Sequence, residues 1–361
     1  MRILCVIDSL GSGGAQRQLV ELAQGFKERG HDVLFLTYHE NNFFKPKLDD
    51  IEIPVFTLIE TNYLKRIFKV RSFIRKTKPD SVIAFLQGAS FMATIAGFPC
   101  RKWKLIVGER SANPNILKSF KLRLYRWFHL FSDYVVANSY SNLNLVKRAN
   151  PLINKEKQIV IYNMVNIPSN LALTKSKVKS SKTLIVVAAS YRPVKNLDGL
   201  IAAVSTLELH HLNQFEIHWY GNAEDVEYEK QMRELIIKNN LENIIKLHSS
   251  VKDIYQKYIE SDFVALFSHY EGFPNTICEA MALGKPILVT NISDLPKFIK
   301  EQINGYICKS MDIQSIQKAI LSAIGSTLEE REKMGHNNKI LANKYFSKEV
   351  VVDKYMDLLL K

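Results

Sequence analysis

The chain has 361 residues, of which 47% are apolar and 24% are charged, and its formal net charge is +13. This composition excludes a disordered chain, and the length predicts two domains of ordinary size. No apolar run reaches the length of a membrane-spanning helix, and there is no disulfide or metal-ligand spacing among Cys5, Cys100, Cys278 and Cys308.

Strands and helices alternate through the first half of the chain. Residues 2–8 form an apolar run that leads into a glycine turn and a helix at 13–29, and no small-residue cleavage site follows. We therefore expect a first strand, no leader peptide and a cytoplasmic protein. Further strands are predicted at 33–37, 54–58, 81–86, 104–107, 134–137 and 158–162. The alternation is typical of a mostly parallel sheet with helices on both faces.

The same pattern restarts after a segment rich in Ser and Lys at 168–182. Strands predicted at 183–189, 215–220, 244–247, 263–267 and 286–290 alternate with helices at 195–207, 225–239, 251–259 and 275–282. The sequence thus predicts an α/β protein with two doubly wound, Rossmann-like domains. We place the domains at 1–167 and 183–345, the linker at 168–182, and a C-terminal helix at 346–361, for which a return to the N-terminal domain is one option.

The positive charge is concentrated in the first half. Residues 1–170 hold 25 Lys and Arg against 13 Asp and Glu, whereas the remaining residues hold 24 against 23. An excess of +12 predicts an anionic partner for this half, either a membrane surface or a phosphorylated acceptor. Nucleic acid is not expected, because the sequence contains no helix-turn-helix, zinc-finger or RNA-recognition signature.

Residues 268–288, SHYEGFPNTICEAMALGKPIL, carry the most specific pattern. A loop with Glu271 and Gly272 follows a predicted strand and leads into a helix that contains Glu279. Glycine permits close approach of the backbone to a ligand, and Pro274 suits the first turn of a helix, whose amides form an anion site. Two carboxylates can accept hydrogen bonds from sugar or ribose hydroxyls. The alternative is that Glu271 is only a solvated charge in a loop and Glu279 only a charge on the surface of a helix.

The pattern E-G-F-P-N-T-x-x-E-A-M-A-x-G-K-P resembles the E-x7-E signature of retaining GT4-family glycosyltransferases of the GT-B fold. The resemblance covers nearly the whole chain, including the glycine turn before Ala15, the segment 188–196 and the C-terminal helices. It implies two Rossmann-like domains facing a central cleft. It also implies that Glu271 contacts the transferred sugar and that Glu279 holds the donor ribose. The other donor-binding residues implied in this segment are Gly272, Phe273, Pro274, Asn275 and Thr276.

A second cluster lies at 189–196, ASYRPVKN, where a strand ends and a helix begins. Two cations there, Arg192 and Lys195, can neutralise the charge of a leaving diphosphate, although a solvated helix start is the alternative. The family shows G-R-L-x-P-x-K at this place. Lys195 matches that pattern, but Ser190 occupies the position of the family's arginine and Arg192 lies two residues later. By the resemblance, Glu271, Lys195 and Arg192 are the catalytic residues.

Candidates in the first half follow two of its predicted strands. Gly13 and Gly14 open a helix without the G-x-G-x-x-G spacing of a dinucleotide site. The resemblance brings them close to the donor phosphate and the acceptor. Glu109 and Arg110 match a loop that lines the acceptor side in related hexose and hexosamine transferases, and a structural ion pair is the alternative.

Two basic stretches, 63–78 and 118–127, interleave cations with large apolar residues. In the first, a helical stripe of Tyr63, Ile67, Val70 and Ile74 is explained by a helix that packs on its sheet. The excess of cations nonetheless fits docking to an anionic leaflet.

The resemblance implies a retaining transferase that moves a hexose or N-acetylhexosamine from a nucleotide sugar, with UDP favoured, to a growing glycan. A lipid-linked acceptor in surface-polysaccharide assembly is expected, with the enzyme peripheral on the cytoplasmic face of the membrane. No cofactor is expected beyond the nucleotide-sugar co-substrate. No metal is expected, because the chain has no D-x-D triplet and no ligand-spaced cluster. A non-catalytic two-domain sugar-binding protein and a nicotinamide-dependent dehydrogenase remain as alternatives.

Overall fold

The computed structural model describes residues 1–167 and 182–361, which form two compact units. Unit 1 comprises Met1–Met164 and Phe346–Lys361, and unit 2 comprises Val165–Tyr345. The C-terminal helix thus belongs to unit 1, where it packs against the first helix of the chain. The linker predicted at 168–182 lies outside the described residues, except for Lys182.

Each unit contains one parallel sheet among the described residues. The strands of unit 1 are β1 (Arg2–Val6), β2 (Asp32–Thr37), β3 (Val55–Thr57), β4 (Ser81–Phe85), β5 (Lys104–Glu109), β6 (Tyr134–Ala137) and β7 (Gln158–Val160). Those of unit 2 are β8 (Thr183–Ala188), β9 (Phe215–Gly221), β10 (Ile245–Ser249), β11 (Phe263–Leu266), β12 (Ile287–Thr290) and β13 (Gly305–Cys308). The spatial orders are β3-β2-β1-β4-β5-β6-β7 and β10-β9-β8-β11-β12-β13. The direction of winding therefore reverses between β1 and β4 and between β8 and β11.

Helices connect the strands. They are α1 (Gly14–Glu28), α2 (Lys45–Asp49), α3 (Tyr63–Thr77), α4 (Gln87–Ala96), α5 (Phe120–Trp127), α6 (Tyr140–Ala149), α7 (Leu197–Ser205), α8 (Leu209–Leu212), α9 (Val226–Lys238), α10 (Ile254–Glu260), α11 (Asn275–Ala282), α12 (Leu295–Phe298), α13 (Ile313–Gly325), α14 (Leu328–Phe346) and α15 (Lys348–Leu360). Several begin at a side-chain cap, as α6 does at Ser139, which accepts a hydrogen bond from the Asn142 amide.

The central strands of unit 1 are buried on both faces of the sheet. β1 reads RILCV and β4 reads SVIAF, and nearly all of their residues are buried because helices cover both faces. One face packs against α1 and α15, with Phe26 and Val352 in the core. The other packs against α3 and α4, with Val70 and Ile74 in the core. The inner part of the stripe predicted on α3 is therefore confirmed.

The core of unit 2 is centred on Trp219 and Phe263, with α7, α9 and α13 supplying apolar residues. The predicted strands and helices are found within three residues of their predicted bounds. β13 was not predicted from the sequence. The two doubly wound α/β units confirm the predicted fold class. Over residues 1–167 and 182–361, none of the helices combines the length and apolarity needed to cross a bilayer.

Candidate functional site

In unit 2, two loops leave the sheet where the winding reverses. Lys195 ends the 3-10 turn Pro193–Lys195, which follows β8, and Glu271 lies in the loop that follows β11. Ligands of open parallel sheets bind beyond the carboxyl ends of the strands at such a point. The fold thus brings together the two segments that the sequence marked as functional.

The side chains of Lys195 and Glu271 form an ion pair in this place. The Nζ of Lys195 lies 2.5 Å from Oε1 of Glu271, and the two side chains are 14% and 18% exposed. The hydroxyl of Ser268 donates a second hydrogen bond, of 2.8 Å, to the same carboxylate oxygen. Because the pair is largely shielded from water, its electrostatic interaction is stronger than that of a surface pair. No role was predicted for Ser268, although it opens the segment that carries the signature.

Asn196 fixes the turn that presents Lys195. Its backbone is left-handed, with φ 62° and ψ 40°, a conformation that asparagine adopts more readily than most residues. Its buried side-chain amide donates to the carbonyl of Phe267 at 3.1 Å and to that of Ser310 at 2.9 Å. The amide of His269 also donates to the carbonyl of Val194, at 2.9 Å. These bonds hold the loops after β8 and β11 against each other.

Helix α11 supplies the second carboxylate. It begins at Asn275, directly after Pro274, which has no side-chain acceptor to cap the amides of the first turn. Thr276 is tied to the end of β8 by a hydrogen bond of 3.2 Å from its hydroxyl to the Ala188 carbonyl. Glu279 lies on the same helix and is only 4% exposed. A carboxylate is rarely buried to this degree away from a specific partner.

The loop before α11 is held to the rest of unit 2 at two points. The carbonyl of Gly272 accepts a hydrogen bond of 2.5 Å from the hydroxyl of Ser293. The ring of Phe273 is buried and packs edge-on against Phe298, with 5.7 Å between the ring centroids. This backbone, predicted to approach the donor, is therefore well anchored.

Arg192 does not join the pair of Lys195 and Glu271 in this structure. Its guanidinium lies 3.0 Å from Oε2 of Glu224, and both side chains are about half exposed. Surface pairs of this kind contribute roughly 0–1 kcal/mol. Lys195 is therefore the cation that the fold fixes at the site, whereas Arg192 is held weakly on the surface.

Unit 1 has a cavity of about 230 Å³ beyond the carboxyl ends of β1, β2, β4 and β5. Its lining consists of Asp8, Tyr38, Leu86, Gln87, Gly88, Glu109, Arg110 and Ser111. The backbone of Leu86 has φ 72° and ψ 157°, which is strained for a residue other than glycine. Such strain is concentrated at functional sites, and this cavity lies at the point where the winding of the sheet reverses.

Glu109 forms a buried ionic cluster beside the cavity. Arg126 donates to its Oε2 at 2.8 Å, and the Nε2 of His129 donates to its Oε1 at 2.8 Å. Burial acts to raise the pKa of Glu109, but the charges and hydrogen bonds of Arg126 and His129 outweigh it and lower the pKa. The sequence left an acceptor contact and a structural ion pair open for Glu109. The structure shows the ion pair and places the same residue in the lining of the cavity.

Arg110 connects the cavity to the C-terminal helix. Its guanidinium donates to Oδ1 of Asn163 at 3.2 Å and to the hydroxyl of Tyr355 on α15. The same group stacks on Phe85, with its carbon 4.0 Å from the ring centroid. Burial lowers the pKa of Arg110, although an arginine stays protonated at any ordinary pH.

Asp8 and Tyr38 line the cavity, although no role was predicted for them from the sequence. The Nε2 of Gln16 donates to Oδ1 of Asp8 at 3.0 Å. A Cβ on Gly13 would lie 2.3 Å from Oε1 of Gln16, so glycine at the N-cap of α1 allows Gln16 to fold back over this turn. Gly14, which begins α1, is exposed.

Two family models match the chain. The model described as "Glycosyltransferase Family 4" matches residues 12–168, and the model described as "Glycosyl transferases group 1" matches residues 171–340. Together they span both units.

Relatives of known name and structure agree with these matches. An uncharacterized glycosyltransferase of Haemophilus influenzae is 22% identical over 96% of each chain. A Campylobacter jejuni enzyme is 24% identical over 78% of this chain and 77% of its own, and is named GalNAc-alpha-(1->4)-GalNAc-alpha-(1->3)-diNAcBac-PP-undecaprenol alpha-1,4-N-acetyl-D-galactosaminyltransferase. The crystal structure of Anabaena HepE in complex with UDP-glucose superposes with a TM-score of 0.85, at 23% identity and over 99% of each chain.

Proposed function

Since the chain belongs to the GT4 family of glycosyltransferases of the GT-B fold, we propose that it is a retaining, metal-independent transferase of hexose or N-acetylhexosamine. Family membership favours this activity over a sugar-binding protein or a dehydrogenase. The observation that carries the proposal is the shielded pair of Lys195 and Glu271 where the winding of the unit 2 sheet reverses, in the segment that also carries the buried Glu279.

The proposed donor is a nucleotide diphosphate sugar bound by unit 2. Its diphosphate attracts the ammonium of Lys195. The backbone N–H groups of Gly272, Phe273, Asn275 and Thr276, before and at the start of α11, add hydrogen bonds to phosphate and sugar. Because the diphosphate competes with Glu271 for the ammonium of Lys195, the Glu271 carboxylate becomes free to accept hydrogen bonds from the sugar hydroxyls. Glu279 accepts from the ribose hydroxyls. Arg192 remains a candidate second cation, because its surface pair with Glu224 is easily broken.

In the proposed reaction, the acceptor hydroxyl attacks the anomeric carbon from the face that the diphosphate leaves. The bond between that carbon and the diphosphate oxygen breaks, and a donor phosphate oxygen takes the hydroxyl proton. Lys195 stabilises the negative charge that grows on the leaving group. The product then keeps the anomeric configuration of the donor.

UDP is the favoured nucleotide, supported by the UDP and UDP-glucose complexes of the Anabaena neighbour. A lipid-linked glycan is the proposed acceptor, supported by the undecaprenol-linked substrate in the name of the Campylobacter relative. The +12 excess of the first half supports work at an anionic membrane surface, and we place the enzyme on the cytoplasmic face.

We assign the acceptor to the unit 1 cavity. Its volume of about 230 Å³ lies below the roughly 300–1,000 Å³ of sites for drug-sized ligands, which suits one sugar ring. Asp8, Glu109 and Arg110 offer it hydrogen-bond acceptors and donors. The turn of Gly13 and Gly14 is assigned to the donor phosphate and acceptor on the strength of the family resemblance.

The test is transfer from UDP-sugars to a synthetic undecaprenyl-diphosphate glycan, with the product analysed by proton NMR. The proposal predicts an α-linked product from an α-linked donor, formed in the presence of EDTA. A β-linked product would refute retention, and activity that needs added manganese would refute metal independence. The described residues contain no group of three His, Cys, Asp or Glu side chains suited to a metal ion.

A further inference from the structure

Helix α5 carries its apolar stripe on the outside. Phe120, Leu124 and Trp127 recur at the spacing of one helix face and are 81%, 40% and 42% exposed. The buried residues of the same helix are Tyr125 and Arg126. An amphipathic helix that packs on its sheet shows the opposite arrangement, with apolar residues inside. This helix therefore presents an apolar face that its own unit does not cover.

Helix α3, which contacts α5, carries exposed apolar side chains as well. The hydroxyl of Tyr63, at the start of α3, lies 3.1 Å from the hydroxyl of Tyr125 on α5. Leu64 and Phe68 follow on α3 and are 67% and 68% exposed. We call these five exposed side chains the apolar face; its members are Leu64, Phe68, Phe120, Leu124 and Trp127.

The segment that carries the apolar face is rich in positive charge. Residues 61–132 contain fifteen Lys and Arg but only two acidic residues, Asp80 and Glu109, and Glu109 is buried in its pair with Arg126. Lys65, Lys118 and Lys121 are exposed on or next to the two helices. Exposed large apolar side chains on a helix that also carries exposed cations are typical of a helix that lies in the interface of an anionic bilayer.

We propose that the apolar face inserts into the headgroup region of an anionic membrane, with α5 as the main contact. This inference rests on the proposed function, to which it adds the part of the molecule that meets the lipid. The charge complementarity favours lipid over a second copy of this chain, whose matching face would carry the same positive charge. The inner side of α5 holds Glu109 through Arg126, at a hydrogen-bond distance of 2.8 Å. Insertion of α5 therefore brings the unit 1 cavity towards a lipid-linked acceptor.

Not all nearby cations are suited to a test of this proposal. Arg66 donates to the carbonyl of Glu60, Arg71 donates to that of Ala96, and Lys69 pairs with Glu60 at 2.8 Å. Charge reversal at these positions would disturb the ends of α3 and α4. The apolar face itself gives the cleaner test, because its side chains are exposed.

Trp127 is a built-in reporter of insertion. The chain has three tryptophans, and the other two, Trp103 and Trp219, are buried. With vesicles of phosphatidylcholine and phosphatidylglycerol whose acyl chains are brominated, the fluorescence of wild type should be quenched. Trp127→Phe, which keeps an apolar side chain, should bind the vesicles without this quenching. Quenching that persists in Trp127→Phe would overturn the proposal.

The matched comparison is Phe120→Ser/Trp127→Ser against Leu209→Ser/Ile237→Ser, which removes two exposed apolar side chains from unit 2. The partition coefficient of the first variant into anionic vesicles should be lower than that of wild type by about tenfold or more. The second variant should match wild type. Equal partitioning of the two variants would overturn the proposal. A different result would also overturn the proposal: wild type forms a dimer, the first variant does not, and vesicles do not quench Trp127. The apolar face would then join two copies of the chain.

The soluble activity separates this inference from the proposed function. Release of UDP from a UDP-sugar without vesicles should be equal in wild type and in both double variants. If wild type inserts but hydrolyses or transfers no nucleotide sugar, the proposed function fails and the docking face stands. If it turns over the donor but leaves Trp127 unquenched, the docking face fails alone.

Discussion

The buried cluster around Glu109 gives a prediction whose size follows from the structure. Arg126 is fully buried and Glu109 is 4% exposed, so Glu109→Gln leaves a guanidinium inside unit 1 without its counter-charge. Breaking a buried pair by removing one partner costs roughly 3–5 kcal/mol of unfolding free energy. For a domain of this size each kcal/mol lowers Tm by about 2–4 °C, so the unit 1 transition should fall by roughly 6–20 °C in calorimetry at pH 7.

The pH dependence and a double variant test the same reasoning. Folding lowers the pKa of Glu109. The charged carboxylate therefore contributes its full share of the free energy of unfolding above pH about 4.3, the ordinary carboxyl pKa, and this share is lost as the pH falls through the lowered pKa. The Tm difference between wild type and Glu109→Gln should therefore shrink in acid. Glu109→Gln/Arg126→Met removes both charges and should recover much of the loss. An unchanged Tm for Glu109→Gln at pH 7 would refute the assignment of a structural ion pair.

The remaining predictions concern the donor site. Lys195→Ala should lower kcat for donor turnover by about 10²-fold with a smaller change in donor KM, because Lys195 acts on charge that develops in the transition state. Arg192→Ala should lower kcat less than Lys195→Ala does, because the guanidinium of Arg192 must leave Glu224 to reach the donor. An equal loss of kcat in the two variants would contradict this prediction. Glu279→Ala should raise donor KM by roughly 10- to 100-fold, because the loss of a charged hydrogen bond costs roughly 1.5–3 kcal/mol of binding free energy. Glu279→Gln keeps the side-chain volume and should raise KM less. An unchanged KM in Glu279→Ala would remove Glu279 from the site.

The sequence was sufficient to predict the fold because the central strands of both sheets are covered on both faces. Such strands read as continuous apolar runs, as RILCV of β1 does, and helical periods separate them. The order of the strands in space comes from pairings distant in sequence, such as Ile3 of β1 with Val33 of β2 and Ser81 of β4. Only the structure shows where the winding reverses.

The site was predicted in part. Lys195 and Glu271 stand out as charged residues at strand ends, but Asn196, which positions one against the other, reveals its role only through a left-handed backbone and two carbonyl contacts. The face of α5 was beyond prediction for a different reason. The spacing of Phe120, Leu124 and Trp127 is the same whether the stripe faces a core or the solvent, so only exposure distinguishes the two.

The most direct test of the account is UDP release from a panel of UDP-hexoses and UDP-N-acetylhexosamines by wild type and by Glu271→Gln. Wild type should turn over at least one donor of the panel. Glu271→Gln should do so more slowly by about 10²-fold, because the neutral amide is a weaker acceptor for the sugar hydroxyls and no longer pairs with Lys195. Thermal scans should show that the variant is folded. Equal rates for the two proteins, or no turnover of any UDP-sugar by wild type, would contradict the assignment of the donor site.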